Sequence, residues 1–467
     1  MAKGTWFQTP SNVPIRDIWS IISEEMTPEI RELDPTFESP MSKAFKKTGQ
    51  SGYPRKGRFK FGKVLSSAYQ GPSDAVLMSN KPVLGGTTHK PMKSYVTWTQ
   101  THARHYLTIW IHGDEKAVAE TGGLVSFIAD QIADARECVT KERNRMVHGD
   151  GSGIRATVAA TASVGATTLT LKRHNTTQNK WAGMPGARWM WMGVPFELRR
   201  GGFKLGGSTE NYLVEQRPEV LSATGTDTIT LNRGLVTAAA EDDELYLCTD
   251  DVTTYGQEPG GVELIYDDGR DHPVFKSVSR LAYPGYGLES VLRLSTSVAS
   301  GAAGHMQQLG DRLLTLALDV YHATTQRTDI TLYAHGDVWR ELPWGGALRS
   351  DFPANQPVPV EDQIFNTPKT DGVTIGGNSR HMFFHPTVNA QRVTDSSMLF
   401  GTIRGLRPSD LFEAEMEALT PMEPYIPRND EMLLRWSGRG NFDSKSDGSV
   451  GLIIERIKTL DQGPPVW

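Results

Sequence analysis

Histidine is a common metal ligand, and the sequence contains two closely spaced histidine pairs. The spacing of both pairs argues against the binding of a metal ion. His102 and His105 are three residues apart in a predicted strand, where odd spacing sends side chains to opposite faces. His381 and His385 are four apart in an extended pattern, which separates them by about 13 Å, too far to bind one ion. We therefore expect neither pair to form a metal site.

Two loops resemble ligand-binding motifs in composition alone. The run Gly149–Gly153 could cradle a phosphate if a helix began after it, but the predicted helix ends before it. In the loop that starts at Asp443, Lys445 takes the third position of a calcium loop and Ile454 the twelfth, where ligands are needed. No G-x-S-x-G, H-E-x-x-H or C-x-x-C motif is present. We predict no enzymatic activity and no cofactor.

Charge segregation is the clearest signal in the sequence. Residues 43–63 contain eight basic residues and no acid. The segment is rich in glycine, lacks an apolar face of its own, and is followed by the alternating strand pattern Tyr95–Thr99. It predicts a two-stranded arm that projects from the body, with a solvated basic loop as the alternative. The residues predicted to contact a neighbouring subunit are Arg55, Lys56, Arg58, Lys60 and Lys63.

An acidic stretch supplies a candidate partner for this arm. Residues 410–431 contain seven acids against Arg428 alone. Pairing within the chain is the simplest arrangement, whereas pairing between copies would fix their register and build closed assemblies. The candidate complement consists of Glu413, Glu415, Glu417 and Glu423.

Composition narrows the class of protein further. The 467 residues carry a net charge of −5, which disfavours a protein that coats nucleic acid. Cys138 and Cys248 are too few for a disulfide framework or a four-thiolate zinc site. No apolar run reaches the length of a membrane span, and the N-terminus lacks an apolar signal core. We expect assembly in a cytosol and no membrane partner.

Hydrophobic periodicity predicts an α+β fold in which strands and helices are segregated. A long helix is predicted at 117–147, with Gly149 as its left-handed cap. Residues 166–173 resemble residues 226–233 and predict related strands, each followed by a second strand. The other predicted elements are an amphipathic helix at 15–26, second strands at 189–192 and 245–248, helices at 304–325 and 337–342, and strands at 329–333 and 382–384.

The order of these elements resembles the major capsid protein of tailed double-stranded-DNA phages, the Hong Kong 97-type fold. The basic arm resembles the extended loop of that family, and the helix that ends before His148–Gly153 resembles its spine helix. Gly261–Ile265, Ser279–Pro284 and the segment from Asp311 to Leu332 are similar to recurrent segments of these proteins.

The resemblance implies a division of the chain into six parts. These are an N-terminal arm at 1–48, an extended loop at 49–95, a peripheral domain with the spine helix at 96–154, an inserted β-barrel-like domain at 155–252, an axial domain with a return to the peripheral domain at 253–430, and a C-terminal β-hairpin at 431–467.

The resemblance also implies a function. Copies of the chain would assemble through hexamers and pentamers into an icosahedral shell around double-stranded DNA, which the inner face contacts weakly. Portal, scaffolding and cement or decoration proteins would be partners, and the chain would reside in a virion assembled in the host cytoplasm. An encapsulin-like protein compartment is the alternative. A hydrolase with a β accessory domain, binding glycans through Trp181, Trp189 and Trp191, is a third hypothesis.

Overall fold

A computed structural model describes about half of the chain, in separate segments. The described residues are 33–49, 54–63, 93–111, 124–173, 185–206, 210–216, 218–221, 226–248, 258–267, 272–280, 291–295, 329–335, 373–374, 389–399, 402–422, 432–445 and 451–455, with residues 28, 31 and 269. The helices predicted at 15–26, 304–325 and 337–342 and the strand at 382–384 lie outside them.

The described residues contain three α-helices, one 3₁₀ helix (Pro408–Asp410) and 22 strands. The helices are α1 (Pro40–Ala44), α2 (Leu124–His148) and α3 (Val262–Ile265). The strands are β1 (Lys46–Gly49), β2 (Arg55–Lys63), β3 (Lys93–Gln100), β4 (Ala103–Ile111), β5 (Ala156–Thr157), β6 (Thr168–Lys172), β7 (Pro195–Arg200), β8 (Phe203–Lys204), β9 (Tyr212–Leu213), β10 (Glu219–Leu221), β11 (Thr226–Thr230), β12 (Glu244–Leu247), β13 (Val274–Phe275), β14 (Val278–Ser279), β15 (Val291–Ser295), β16 (Asp329–Ala334), β17 (Val373–Thr374), β18 (Asn389–Thr394), β19 (Ile403–Leu406), β20 (Leu411–Pro421), β21 (Met432–Ser444) and β22 (Gly451–Glu455).

Helix α2 and a four-stranded sheet form the centre of the fold. The strand order is β1-β20-β21-β4, and α2 contacts β4. Ile132, Ala135 and Val139 recur at helical spacing and are buried, which gives the first half of the described helix one apolar buried face. Phe45, after α1, packs edge to face on Phe442 of β21, with the ring centroids 5.1 Å apart. The N-terminal segment is therefore part of the main core.

The end of α2 differs from the prediction. Gly149 does not have a positive φ and is therefore not a left-handed cap, and its N–H donates to the Met146 carbonyl at 3.1 Å. The reversal comes at Gly151 and Gly153, with φ of 84° and 78°. Only glycine adopts these angles readily. A Cβ on Gly151 would also lie 3.1 Å from the backbone of Gly260, so the turn packs closely on that segment.

Residues 156–247 form a β-rich unit with its own core. Its two sheets have the orders β10-β11-β6 and β5-β12-β7-β8, and β9 pairs with β7. The two similar segments are direct partners, since β6 and β11 pair antiparallel with Leu169 opposite Ile229. Both side chains are fully buried, as the period-2 pattern predicts. The strand predicted at 245–248 corresponds to β12.

The strand predicted at Trp189–Met192 is wrong. These residues form successive turns, and the strand begins at Pro195. Trp189 is buried with Ile154 and Leu399, and its Nε1 donates to the Ser397 carbonyl at 3.1 Å. The aromatic residue therefore docks the β-rich unit on residues 397–399 and does not alternate along a strand.

The predicted C-terminal hairpin is also wrong. Strand β21 pairs with β20 and β4, whereas β22 lies in a six-stranded sheet of order β15-β22-β19-β16-β18-β17. The run Leu452–Ile454 is continuously apolar, which suits a strand paired on both sides within a sheet. The strand predicted at 329–333 is confirmed as β16. Within the described residues, no helix is long and apolar enough to cross a membrane.

Candidate functional site

The basic arm is a two-stranded ribbon, defined here as β2 and β3. The strands pair antiparallel from Arg55 opposite Gln100 to Lys63 opposite Lys93, with a register shift between Phe61 and Lys63. Among the strands that the structure describes, β2 and β3 pair only with each other. An isolated two-stranded ribbon is marginally stable in water, so its attachment to the body decides where it points.

Four residues attach the ribbon, and we call them the root cluster: Arg55, Trp98, Lys276 and Asp443. The guanidinium of Arg55 and the ammonium of Lys276 lie 5.1 and 4.2 Å from the centroid of the Trp98 ring. Both cations also pair with Asp443, and Lys276 Nζ lies 2.8 Å from Asp443 Oδ1. Asp443 is fully buried, so a carboxylate in β21 holds both cations against one indole ring.

Gly57 makes room for this arrangement. It lies directly opposite Trp98 in the ribbon, and the Trp98 ring covers it so closely that a Cβ would overlap the ring. The sequence predicted a glycine-rich arm without giving this glycine a function. The structure shows that the missing side chain lets the indole cross the partner strand.

Replacing Gly57 by alanine should therefore loosen the root. The Trp98 ring must move, and we expect the free energy of unfolding to fall by about 1–3 kcal/mol, measured by chemical denaturation. Gly49→Ala is the matched control, because that strand glycine has open space where the Cβ would lie. Equal effects of the two substitutions would contradict the packing of Trp98 on Gly57.

The predicted basic residues divide into two groups. Lys56 and Arg58 are exposed on β2, as a contact with another molecule requires. Arg55 is less exposed and pairs with Asp443 in its own chain. Strand alternation explains the difference, since residues 55 and 57 share the face toward the body. Lys60 and Lys63 lie further along β2, and their side chains lie outside the described residues.

The predicted acidic complement is largely satisfied within the chain. Glu413 pairs with Arg143 at 3.0 Å, Glu415 with Lys47 at 3.7 Å, and Glu417 with Arg439 at 3.4 Å. Strand β20 lies between β1 and β21, which brings Lys47 and Arg439 beside these carboxylates. Of these three partners, Lys47 belongs to the basic stretch 43–63, whereas Arg143 and Arg439 do not. Glu423 lies outside the described residues.

A second buried cluster fixes the N-terminal segment on α2. Arg143 donates to the carbonyls of Ser42 and Phe45 at 3.0 and 2.8 Å and pairs with Glu38 at 3.3 Å. Asn144 accepts a hydrogen bond from the N–H of Ser39 at 3.0 Å. The sequence signal was weak, because a basic residue in a long helix usually indicates a solvated face.

Asp395 joins the same region from another part of the chain. It is fully buried, accepts a hydrogen bond from the Met41 N–H at 3.1 Å, and lies 3.1 Å from His148 Nε2. Burial alone would raise the pKa of Asp395, but the charge and hydrogen bond of His148 and the N–H groups of Ser397 and Met41 lower this pKa to about 2. The carboxylate therefore stays ionised inside the protein.

A third network connects α2 to the β-rich unit. Glu142 pairs with Arg145 and Arg155, and Arg145 also pairs with Glu258. Burial would raise the pKa of Glu142, but the two guanidinium groups outweigh it and lower this pKa to about 2. Arg155 is fully buried at the start of the unit, so the ion pairs fix its position against the helix. Within the described residues, no cluster of potential metal ligands is present.

Comparison with known proteins gives similarity in structure and none in sequence. No family model matches the chain, and no curated protein is similar to it at a significant level. The cyanophage A-1(L) capsid is 9% identical, with 91% of this chain and 95% of that chain covered and a TM-score of 0.44. The capsid of a native GTA particle is 9% identical, with 91% and 92% covered and a TM-score of 0.36.

A virus-like particle from Pyrococcus furiosus is 8% identical, with 93% of this chain and 98% of that chain covered and a TM-score of 0.35. All three TM-scores are below 0.5.

Proposed function

We propose that this chain is a shell-forming major capsid protein of the tailed-phage type. The observation that carries the proposal is the ribbon: β2 and β3 pair only with each other among the described strands, yet their root is clamped in the core. The open edges of a ribbon are sites where another chain can pair, and covering them is one way in which proteins protect such edges. A second copy of the chain supplies that surface in a self-assembling shell.

The charges support contact between copies. Lys56 and Arg58 are exposed on the ribbon, while the described acids of β20 keep partial exposure despite their internal partners, with Glu417 47% and Glu415 27% exposed at the side chain. These partly exposed charges can pair with charges of a second copy at an interface. Complementary pairs of this kind fix how the two copies are aligned.

The finer proposal follows the sequence resemblance. The subunits form hexamers and pentamers of an icosahedral head around double-stranded DNA, and the net charge of −5 suits a container that holds DNA weakly. Portal, scaffolding and cement or decoration proteins are the expected partners, and the assembled protein belongs to a virion formed in the host cytoplasm. The role is structural and not enzymatic.

Expression of the chain followed by electron microscopy and sedimentation tests this proposal. We expect large closed particles or discrete ring-shaped oligomers. A monomer under all concentrations and salt conditions would contradict the proposal. Nuclease-protected DNA in particles from infected cells would separate a phage head from a compartment that packages protein.

Charge reversal on the ribbon should impair assembly without unfolding the subunit. In Lys56→Glu with Arg58→Glu, acids replace cations at the proposed interface, and we expect the assembled fraction to fall about tenfold or more. Lys60→Glu extends the series. The control is Arg104→Glu with Lys445→Glu, which makes the same change in net charge at exposed positions outside the ribbon. Normal particles from the ribbon variant would show that its charge is incidental.

A further inference from the structure

A strained turn holds the ribbon at its root. Lys276 and Ser277 connect β13 to β14, and both have positive φ, 50° and 61°. Two consecutive residues with positive φ are typical of tight hairpin turns formed by Asn-Gly or Gly-Gly. Positive φ is unfavourable for lysine and for serine. Contacts made by the turn must therefore stabilise this conformation.

Those contacts go to the ribbon. The N–H of Thr99 in β3 donates to the Lys276 carbonyl at 3.2 Å, and the Ser277 hydroxyl donates to the Thr99 carbonyl at 3.1 Å. The same turn thus holds both backbone groups of one ribbon residue. Thr99 lies opposite Lys56, one residue from the end of the pairing with Arg55 and Gln100.

The Lys276 side chain makes the third connection. Its ammonium lies over the ring of Trp98 and pairs with Asp443, and the side chain is only 1% exposed. Trp98 belongs to the ribbon and Asp443 to the central sheet, so one lysine connects the two. A buried lysine is costly unless it is paired, which makes this contact dependent on geometry.

We infer that Lys276 and Ser277 form a latch that fixes the direction in which the ribbon leaves the body, and hence which part of a second copy it reaches. They are positioning residues and do not contact the second copy. The contacts of Lys276 and Ser277 with the ribbon and with Asp443 support the latch. Its effect on assembly rests on the proposed function. Glycine or asparagine at position 276 would relieve the strain of the turn. Neither residue has an ammonium group that could reach Asp443.

Lys276→Met tests the latch against a matched control. Lys204→Met also removes a buried lysine from a carboxylate, since Lys204 Nζ lies 2.9 Å from Glu197 with side chains 2% and 0% exposed, but it does so in the β-rich unit. In unassembled subunits, Lys276→Met should accelerate amide hydrogen exchange at Thr99 by about tenfold or more. Lys204→Met should leave this rate unchanged, and Lys276→Arg should restore part of the protection.

Particles give the second readout. Electron microscopy of Lys276→Met should show fewer and less uniform particles than wild type, whereas Lys204→Met should assemble normally. If Lys276→Met does not fold, Ser277→Ala replaces it, because it removes the hydroxyl contact to Thr99 without relieving the strain of the turn, and Thr99 should again exchange faster.

The results separate the two proposals. Unchanged exchange at Thr99, or equal acceleration by Lys204→Met, would overturn the latch. Faster exchange with particles identical to wild type would overturn its control of ribbon direction. Faster exchange in a protein whose wild type never assembles would leave the latch intact and contradict the proposed function.

Discussion

Replacing Asp443 by alanine should lower the free energy of unfolding by about 3–5 kcal/mol, because it removes the shared partner of two cations in the core. Asp443 is fully buried, and the side chains of Arg55 and Lys276 are 16% and 1% exposed. The substitution also removes the acceptor for the Ser444 N–H at 2.7 Å. Chemical denaturation followed by circular dichroism measures the loss.

A double-mutant cycle shows whether Asp443→Ala lowers the free energy of unfolding because it leaves buried cations without a partner. Lys276→Met removes one of the two cations that Asp443→Ala leaves unpaired, so the double variant should lose less than the sum of the two single losses, by about 0.5–3 kcal/mol. Glu417→Ala is the exposed control, and its loss should stay at or below about 1 kcal/mol. Additive losses, or an effect of Asp443→Ala as small as that of Glu417→Ala, would contradict the root cluster.

Replacing Asp395 by alanine should be comparably damaging, with a loss of about 3–5 kcal/mol in the free energy of unfolding. The carboxylate is the acceptor for the N–H groups of Met41 and Ser397, at 3.1 and 2.9 Å, and the partner of buried His148. Its removal breaks one of the connections between α1 and the end of α2, while those made by Arg143 remain. Hydrogen exchange should then increase across residues 39–45 more than across β6 and β11, which lie in the separate core of the β-rich unit.

The lowered pKa of Asp395 should make the free energy of unfolding depend on pH. Its pKa is lowered to about 2 in the folded protein, below the ordinary value, so its stabilisation is complete above about pH 4–5 and is lost as the pH falls toward 2. Asp395→Asn should flatten the stability profile between about pH 5 and pH 2 relative to wild type. Glu142 shifts in the same direction, so part of the slope should remain. An Asn variant as acid-sensitive as wild type would contradict this assignment.

Local patterns in the sequence predicted many of the individual elements. Alternating residues predicted β3, β6 and β11, and helical spacing predicted α2, because a buried face imposes a period on the sequence. Strand β12 was predicted as the second strand after β11. The pairing of β21 and β22 was not predictable in the same way. Both segments read as strands, but which sheet each one joins depends on residues far away in the chain.

The root cluster had no sequence signal at all. Arg55 appeared as one of many basic residues in the arm, and Asp443 as part of a polar loop. Their four-residue cluster assembles from distant segments, and its turn at Lys276 lacks the Asn-Gly signature that identifies such turns. The acidic stretch, in contrast, was evident from its charge pattern. Its partners within the chain could not be predicted, because they depend on the order of the strands in the sheet.

Photo-cross-linking from position 58 tests most directly the claim that the ribbon lies on another copy. A photoreactive residue replaces Arg58, particles are assembled from equal amounts of ¹⁵N-labelled and unlabelled subunits, and cross-linked peptides are identified by mass spectrometry. We predict mixed pairs, in which the peptide containing residue 58 comes from one isotopic form and its partner from the other in about half of the products, as random mixing of two copies requires. Cross-links confined to peptides of a single isotopic form would show that the ribbon rests on its own chain and would contradict the account.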